Sequence, residues 1–173
     1  MKIFKPKFWS KKNNLISFFL FPFSLFFQLL IILKNSITKK EKFSLKVICI
    51  GNIYLGGTGK TPLSLAVVEI LKKLNKNAAI IKKNYKKHED EFKLIESKQV
   101  TLFINSSRAL AIKEAVINKF DCVVLDDGFQ DSSINKNLNI ICFNEKQLIG
   151  NGMTLPSGPL REPFSSLKKC QIV

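Results

Sequence analysis

The 173-residue sequence holds a single histidine, His88, and only two arginines, Arg108 and Arg161. Its four cysteines (Cys49, Cys122, Cys142 and Cys170) are far apart, with no CxxC pair. That pattern speaks against a structural zinc site and against a disulfide scaffold. With 8 glycines and 6 prolines the chain is neither collagen-like nor low in complexity. Acidic residues are also scarce: 13 Asp+Glu face 28 Lys+Arg, a formal net charge of +15. At 46% hydrophobic residues this is no disordered tail, and the length suits one α/β domain with a sizeable core.

The shortage of arginine qualifies the positive charge. Nucleic-acid surfaces favour the planar guanidinium fork, so no nucleic-acid partner is expected. Abundant Lys, Asn, Ile and Phe point to an AT-rich coding bias as one source of the charge. Position is more telling. Residues 1–46 carry ten lysines and one acid, Glu41, a net +9 of the total. These lysines flank Leu15–Leu33, an uncharged run of 19 residues. At ~1.5 Å rise per residue the run is just long enough for a hydrocarbon core of about 30 Å. No small-x-small cleavage site follows it, so a signal peptide fits poorly. Spanning would place Lys2, Lys5, Lys7, Lys11 and Lys12 outside, against the positive-inside tendency. Pro22, Ser24 and Gln28 also interrupt the run. The expectation is a helix lying in the cytoplasmic leaflet of an inner membrane, with lysines among anionic headgroups and Trp9 as an aromatic anchor.

Beyond a polar joint at 39–46, short apolar strands alternate with helices. Strands are predicted at Val47–Ile50, Ala78–Ile81, Val100–Ile104, Cys122–Leu125 and Leu138–Phe143. Helices are predicted at Pro62–Leu74 and Ser107–Asn118, the second capped by Ser106 or Ser107. Such alternation implies a mostly parallel sheet covered on both faces. The expected organisation is a membrane-associated helix with basic flanks over 1–38 and a globular lobe over 39–173. Cys49, Cys122 and Cys142 fall in strands and read as small buried residues.

Three segments carry chemistry. Tyr54-Leu55-Gly56-Gly57-Thr58-Gly59-Lys60-Thr61 follows a strand and opens a helix, the setting of a phosphate-binding P-loop. Its glycines let backbone N–H groups turn towards phosphate oxygens, Lys60 offers a point charge, and the Thr61 hydroxyl offers a ligand for Mg²⁺. Tyr54 stands where the usual pattern has glycine. Asp126-Asp127-Gly128 ends an apolar strand, where a carboxylate that organises metal belongs. Gly150–Pro163 is a loop stiffened by glycines and prolines. It carries Arg161, suited to phosphate, and Glu162, suited to metal. Asn118-Lys119-Phe120-Asp121 matches a guanine-reading pattern, but it precedes the Asp126 strand and reads as a helix end and turn.

Together, Gly51-Asn52-Ile53, Gly56–Pro62, Asp126-Asp127-Gly128-Phe129-Gln130, Gly150-Asn151-Gly152 and Leu155–Pro163 resemble the tetraacyldisaccharide 4′-kinase family. The resemblance implies a P-loop NTPase-type fold preceded by a membrane-associated helix. It implies transfer of the γ-phosphate of ATP to the 4′-hydroxyl of a lipid disaccharide 1-phosphate. It also implies that Tyr54–Thr61 binds ATP, and that Thr61, Asp126 or Asp127, and Glu162 organise Mg²⁺. Asp90, within Glu89-Asp90-Glu91, is the implied catalytic base. The implied catalytic set is Asp90, Lys60 and Arg161.

Two departures stand out. The family's Ser-Arg-Gly-Tyr is Lys82-Lys83-Asn84-Tyr85 here, and its histidine after DDGFQ is Asp131. The resemblance also implies a C-terminal lobe beyond residue 173, a separately encoded partner being one form it can take. The alternative expectation is a catalytically incomplete or split ATP-binding module at the membrane.

Overall fold

A computed structural model describes residues 5–84, 94–95 and 97–173. Five parallel strands form one sheet: β1 (Lys46–Gly51), β2 (Ala78–Lys83), β3 (Leu102–Asn105), β4 (Cys122–Asp126) and β5 (Leu138–Ile141). Their order is β3-β2-β4-β1-β5. Helices α1 (Leu15–Ile37), α2 (Lys60–Lys73) and α3 (Arg108–Ile117) accompany them. Every strand and helix expected from periodicity is present, with no end moved by more than four residues.

The two faces of the sheet sort by alternation. Ile50, Ile80 and Val124 pack with Leu65 and Val68 of α2. Cys49, Ile81, Val123 and Leu125 pack with Ala111, Ile112 and Ala115 of α3. Side chains on a strand alternate with period two. Asn52, Lys82 and Asp126, each two residues past an α2-facing position, therefore continue that face to the carboxyl edge of the sheet. All three are buried there. That edge meets the N-terminus of α2.

Asn118-Lys119-Phe120-Asp121 forms the end of α3 and the turn into β4. Asn118 is the C-cap, and the Asp121 carboxylate accepts the Asn77 N–H at 2.7 Å. Cys122 pairs with Lys46 and Ala78, so this segment sits at the amino edge of the sheet, away from the glycine-rich turn.

Helix α1 runs 23 residues without ending at Pro22. It is long and apolar enough to cross a membrane by length and composition. Its buried residues are two of its three serines, Ser17 and Ser24, while Phe18 and Phe19 are 76% and 78% exposed. The buried stripe is polar because it docks on a polar loop. Ser24 Oγ lies 2.9 Å from the Thr154 carbonyl and 2.7 Å from Ser157 Oγ, and accepts the Ser157 N–H at 3.1 Å. Gln28 Nε2 donates to Thr154 Oγ1 at 2.8 Å, and Asn151 Nδ2 donates to Ser17 Oγ at 3.1 Å.

Trp9 is not the exposed anchor expected from sequence. Its ring is buried and its indole N–H donates to the Pro156 carbonyl at 3.1 Å. The same loop that receives α1 offers an acceptor that lipid tails lack.

Candidate nucleotide site

The glycine-rich turn is built from both sides. Gly59 precedes α2 with φ 81°, a left-handed conformation that favours glycine. A Cβ placed on Gly57 or Gly59 would meet nothing within 4 Å, so the inner rim faces open space of the kind a phosphate chain fills. Beneath the rim, buried Asn52 donates through Nδ2 to the Gly56 carbonyl at 3.1 Å and to Thr58 Oγ1 at 3.0 Å. The outer wall is the 150–163 loop. Leu55 N–H donates to the Pro159 carbonyl at 2.9 Å, and Arg161 N–H to the Ile53 carbonyl at 2.7 Å. Tyr54, where glycine was expected, bridges to Leu160 in antiparallel fashion, and Lys5 lies 4.8 Å above its ring. The position thus serves as a wall of the turn.

The adjacent aspartates divide. Asp126 is 1% exposed; its Oδ2 accepts from Thr61 Oγ1 at 2.8 Å and from Lys82 Nζ at 2.8 Å. Lys82 Nζ also lies 3.4 Å from Thr61 Oγ1. Asp126 Oδ1 is buried without a hydrogen-bond partner. Asp127, with φ 56°, turns towards the open side. Lys60 Nζ is 3.6 Å from its Oδ1, and Arg161 Nη1 is 3.2 Å and 3.3 Å from its two oxygens. Burial opposes ionisation of Asp127, but Lys60 and Arg161 outweigh it and hold the carboxyl below its ordinary range.

Lys60, Arg161, Asp126, Asp127 and Tyr54–Thr61 therefore surround one opening. Glu162 points elsewhere. It shares a cavity of about 220 Å³ with Asp131, Lys136 and Lys169. Burial raises its carboxyl pKa against the pull of Lys169 and Lys136. Among the described residues no three His, Cys, Asp or Glu side chains converge as a metal-binding group, so Asp126, Asp127 and Glu162 do not meet as a set. Asp90 lies outside the described residues.

Three contributors went unassigned at the sequence level. Asn52 supports the turn. Gln130 donates to the Asn52 carbonyl at 2.7 Å and presents Oε1 to Arg161 at 3.4 Å. Arg108 donates to the Asp127 carbonyl at 2.8 Å and pairs with Asp131 at 3.3 Å. Counting by two along β1 would have found Asn52. Arg108 is visible only in three dimensions, because α3 delivers it from the other face.

A parallel sheet whose first strand leads through such a turn into a helix, beside a strand ending in aspartate, defines a P-loop kinase fold. A family model described as Tetraacyldisaccharide-1-P 4′-kinase matches residues 16–99 and 90–173, and the chain belongs to that family. It is 49% identical over its whole length to the tetraacyldisaccharide 4′-kinase of Pelagibacter ubique (strain HTCC1062), covering 55% of that protein. It is 31% identical to the enzyme of the same name from Rickettsia canadensis (strain McKiel), covering 58% of it. The chain thus spans a little over half the length of these relatives. A crystal structure of LpxK from Aquifex aeolicus in complex with ATP superposes with a TM-score of 0.76 at 25% identity, over 91% of this chain and 58% of that one.

Proposed function

We propose that this chain is the ATP-binding lobe of a membrane-associated lipid kinase. The reaction is transfer of the γ-phosphate of ATP to the 4′-hydroxyl of a tetraacyldisaccharide 1-phosphate, a step of lipid A biosynthesis. The observation that carries the reading is the convergence of Lys60 and Arg161 on Asp127 at the mouth of an open glycine rim. Both cations are positioned to leave that carboxylate for phosphate oxygens when a nucleotide enters. Backbone N–H groups of Gly57–Thr61 cradle the chain of phosphates, and the α2 N-terminus adds its dipole. Asp90 is the proposed base that takes the proton of the acceptor hydroxyl.

The residues offered for Mg²⁺ do not fit it as they stand. Thr61 and Asp126 converge, but an ammonium, that of Lys82, already lies on both of them. Glu162 is engaged in a separate cavity.

The exposed apolar face of α1 supports placement of the lobe (39–173) on the cytoplasmic leaflet, with the helix and its basic flanks (1–38) as the anchor. A lipid substrate stays in its bilayer, so the kinase has to work at that surface.

The test is transfer of label from γ-labelled ATP to the disaccharide lipid in anionic vesicles, by this chain alone and with a relative's C-terminal lobe supplied. Product in either arm supports the kinase. ATP binding without product in both arms supports the second reading, an incomplete or split binding module. Absence of ATP binding overturns both.

A further inference from the structure

The ammonium on Thr61 and Asp126 stands where a nucleotide's divalent cation would be expected. We propose that Lys82 is the resident cation of this site: it neutralises Asp126 and steadies Thr61, so that the lobe binds ATP with little dependence on Mg²⁺. The inference rests on the nucleotide-binding reading above and concerns how that same site manages charge.

The placement follows from the fold. Ile80 pairs with Val124 and Ile81 with Leu125 across β2 and β4. Lys82 and Asp126 come one step later, side by side on the face that meets α2. Their side chains are 6% and 1% exposed, 2.8 Å apart, and Thr61 from the first turn of α2 closes the group. A lysine this buried is held by a specific partner.

The electrostatic consequence is direct. A bare Asp126 at the edge of a phosphate cradle would repel the triphosphate, and a bridging metal would offset that repulsion. Lys82 offsets it from within the chain. The same ammonium also repels a dication brought to Thr61 and Asp126. With Asp126 neutralised by Lys82 at the floor, Lys60 at the mouth supplies positive charge from the protein itself.

The test is calorimetric titration of ATP into the full chain in detergent micelles, with Mg²⁺ and with EDTA. Wild-type affinity is expected to differ between the two buffers by less than about fivefold. In Lys82→Ser, where space opens and Asp126 is bare, affinity in EDTA falls by more than about fivefold and Mg²⁺ restores it. Lys82→Met, which keeps the stem without the charge, is expected to lose affinity in EDTA to a similar degree. A larger Mg²⁺ dependence of the wild type overturns the inference, as does wild-type affinity of folded Lys82→Ser in EDTA. The wild-type comparison needs no variant, so a folding defect in either substitution leaves the inference testable. Absence of ATP binding in both buffers overturns the nucleotide reading and this inference with it.

Discussion

Thr61 and Asp126 lie 65 positions apart in sequence, yet the hydroxyl of the first donates to the carboxylate of the second at 2.8 Å. This one bond ties the start of α2 to the end of β4. It joins the phosphate-binding turn to the strand beside it, and Lys82 from β2 locks the junction from the third side.

Removing the carboxylate should therefore cost stability. Asp126→Ala removes the carboxylate that accepts from both Thr61 and Lys82 in a buried site, and loss of one partner of a buried ion pair costs about 3–5 kcal/mol. Urea denaturation is expected to show a loss of that size. Adding Lys82→Met should recover part of it, because one buried charge fewer is then desolvated, and the double-mutant cycle measures the coupling.

Lys60 stands at the mouth rather than in the core. Lys60→Ala is expected to lower ATP affinity by about tenfold or more while leaving the fold intact, because it removes a charge-assisted phosphate contact. Equilibrium binding and circular dichroism check the two halves. Unchanged affinity would reject the assignment of this turn to the triphosphate.

Asp127 predicts a pH dependence. Its folded pKa lies below the ordinary 3.8, so its contribution to stability is fully present above that value. The contribution is lost as pH falls through the lowered value. Asp127→Asn should melt below the wild type by a constant margin at neutral pH, and that margin should shrink only in strong acid. Glu162 shifts the other way, its pKa being raised above 4.5, so ionising it disfavours the fold as pH rises past that value. Thermal melts of Glu162→Gln should accordingly gain on the wild type with rising pH.

Helix α1 has two faces with separable roles. Phe18→Asp with Phe19→Asp alters exposed positions and is expected to abolish flotation with anionic vesicles while leaving the unfolding midpoint unchanged. Ser24→Val alters the buried stripe and strands the Ser157 N–H, a loss of about 1–3 kcal/mol. It should lower the midpoint and leave flotation intact. The reverse pattern would mean that the helix presents its other side to lipid.

Asp90 is the remaining catalytic proposal. Asp90→Ala is expected to remove phosphoryl transfer and keep ATP affinity, because a base acts on the acceptor hydroxyl and not on the nucleotide. Retained transfer would remove it from the base role.

Local physics made much of this protein legible from its sequence alone. Alternating apolar runs marked each strand, a 3.6-residue period marked α2, and glycines followed by Lys60-Thr61 marked the phosphate turn. These features depend on neighbours within a few residues, where sterics and periodicity act directly. The tertiary structure alone decided what met across the fold. It set β4 between β1 and β2, and so brought Lys82 to Asp126 and Thr61. It sent Asp127 to Lys60 and Arg161, and Glu162 to a separate cavity. It buried Trp9 against Pro156, and it gave Ser17, Ser24 and Gln28 polar partners on the 150–163 loop. Strand order and helix docking arise from burying whole faces at once, a long-range balance that no single segment encodes. The scarcity of arginine takes its meaning from that balance: both arginines, Arg108 and Arg161, converge on Asp127.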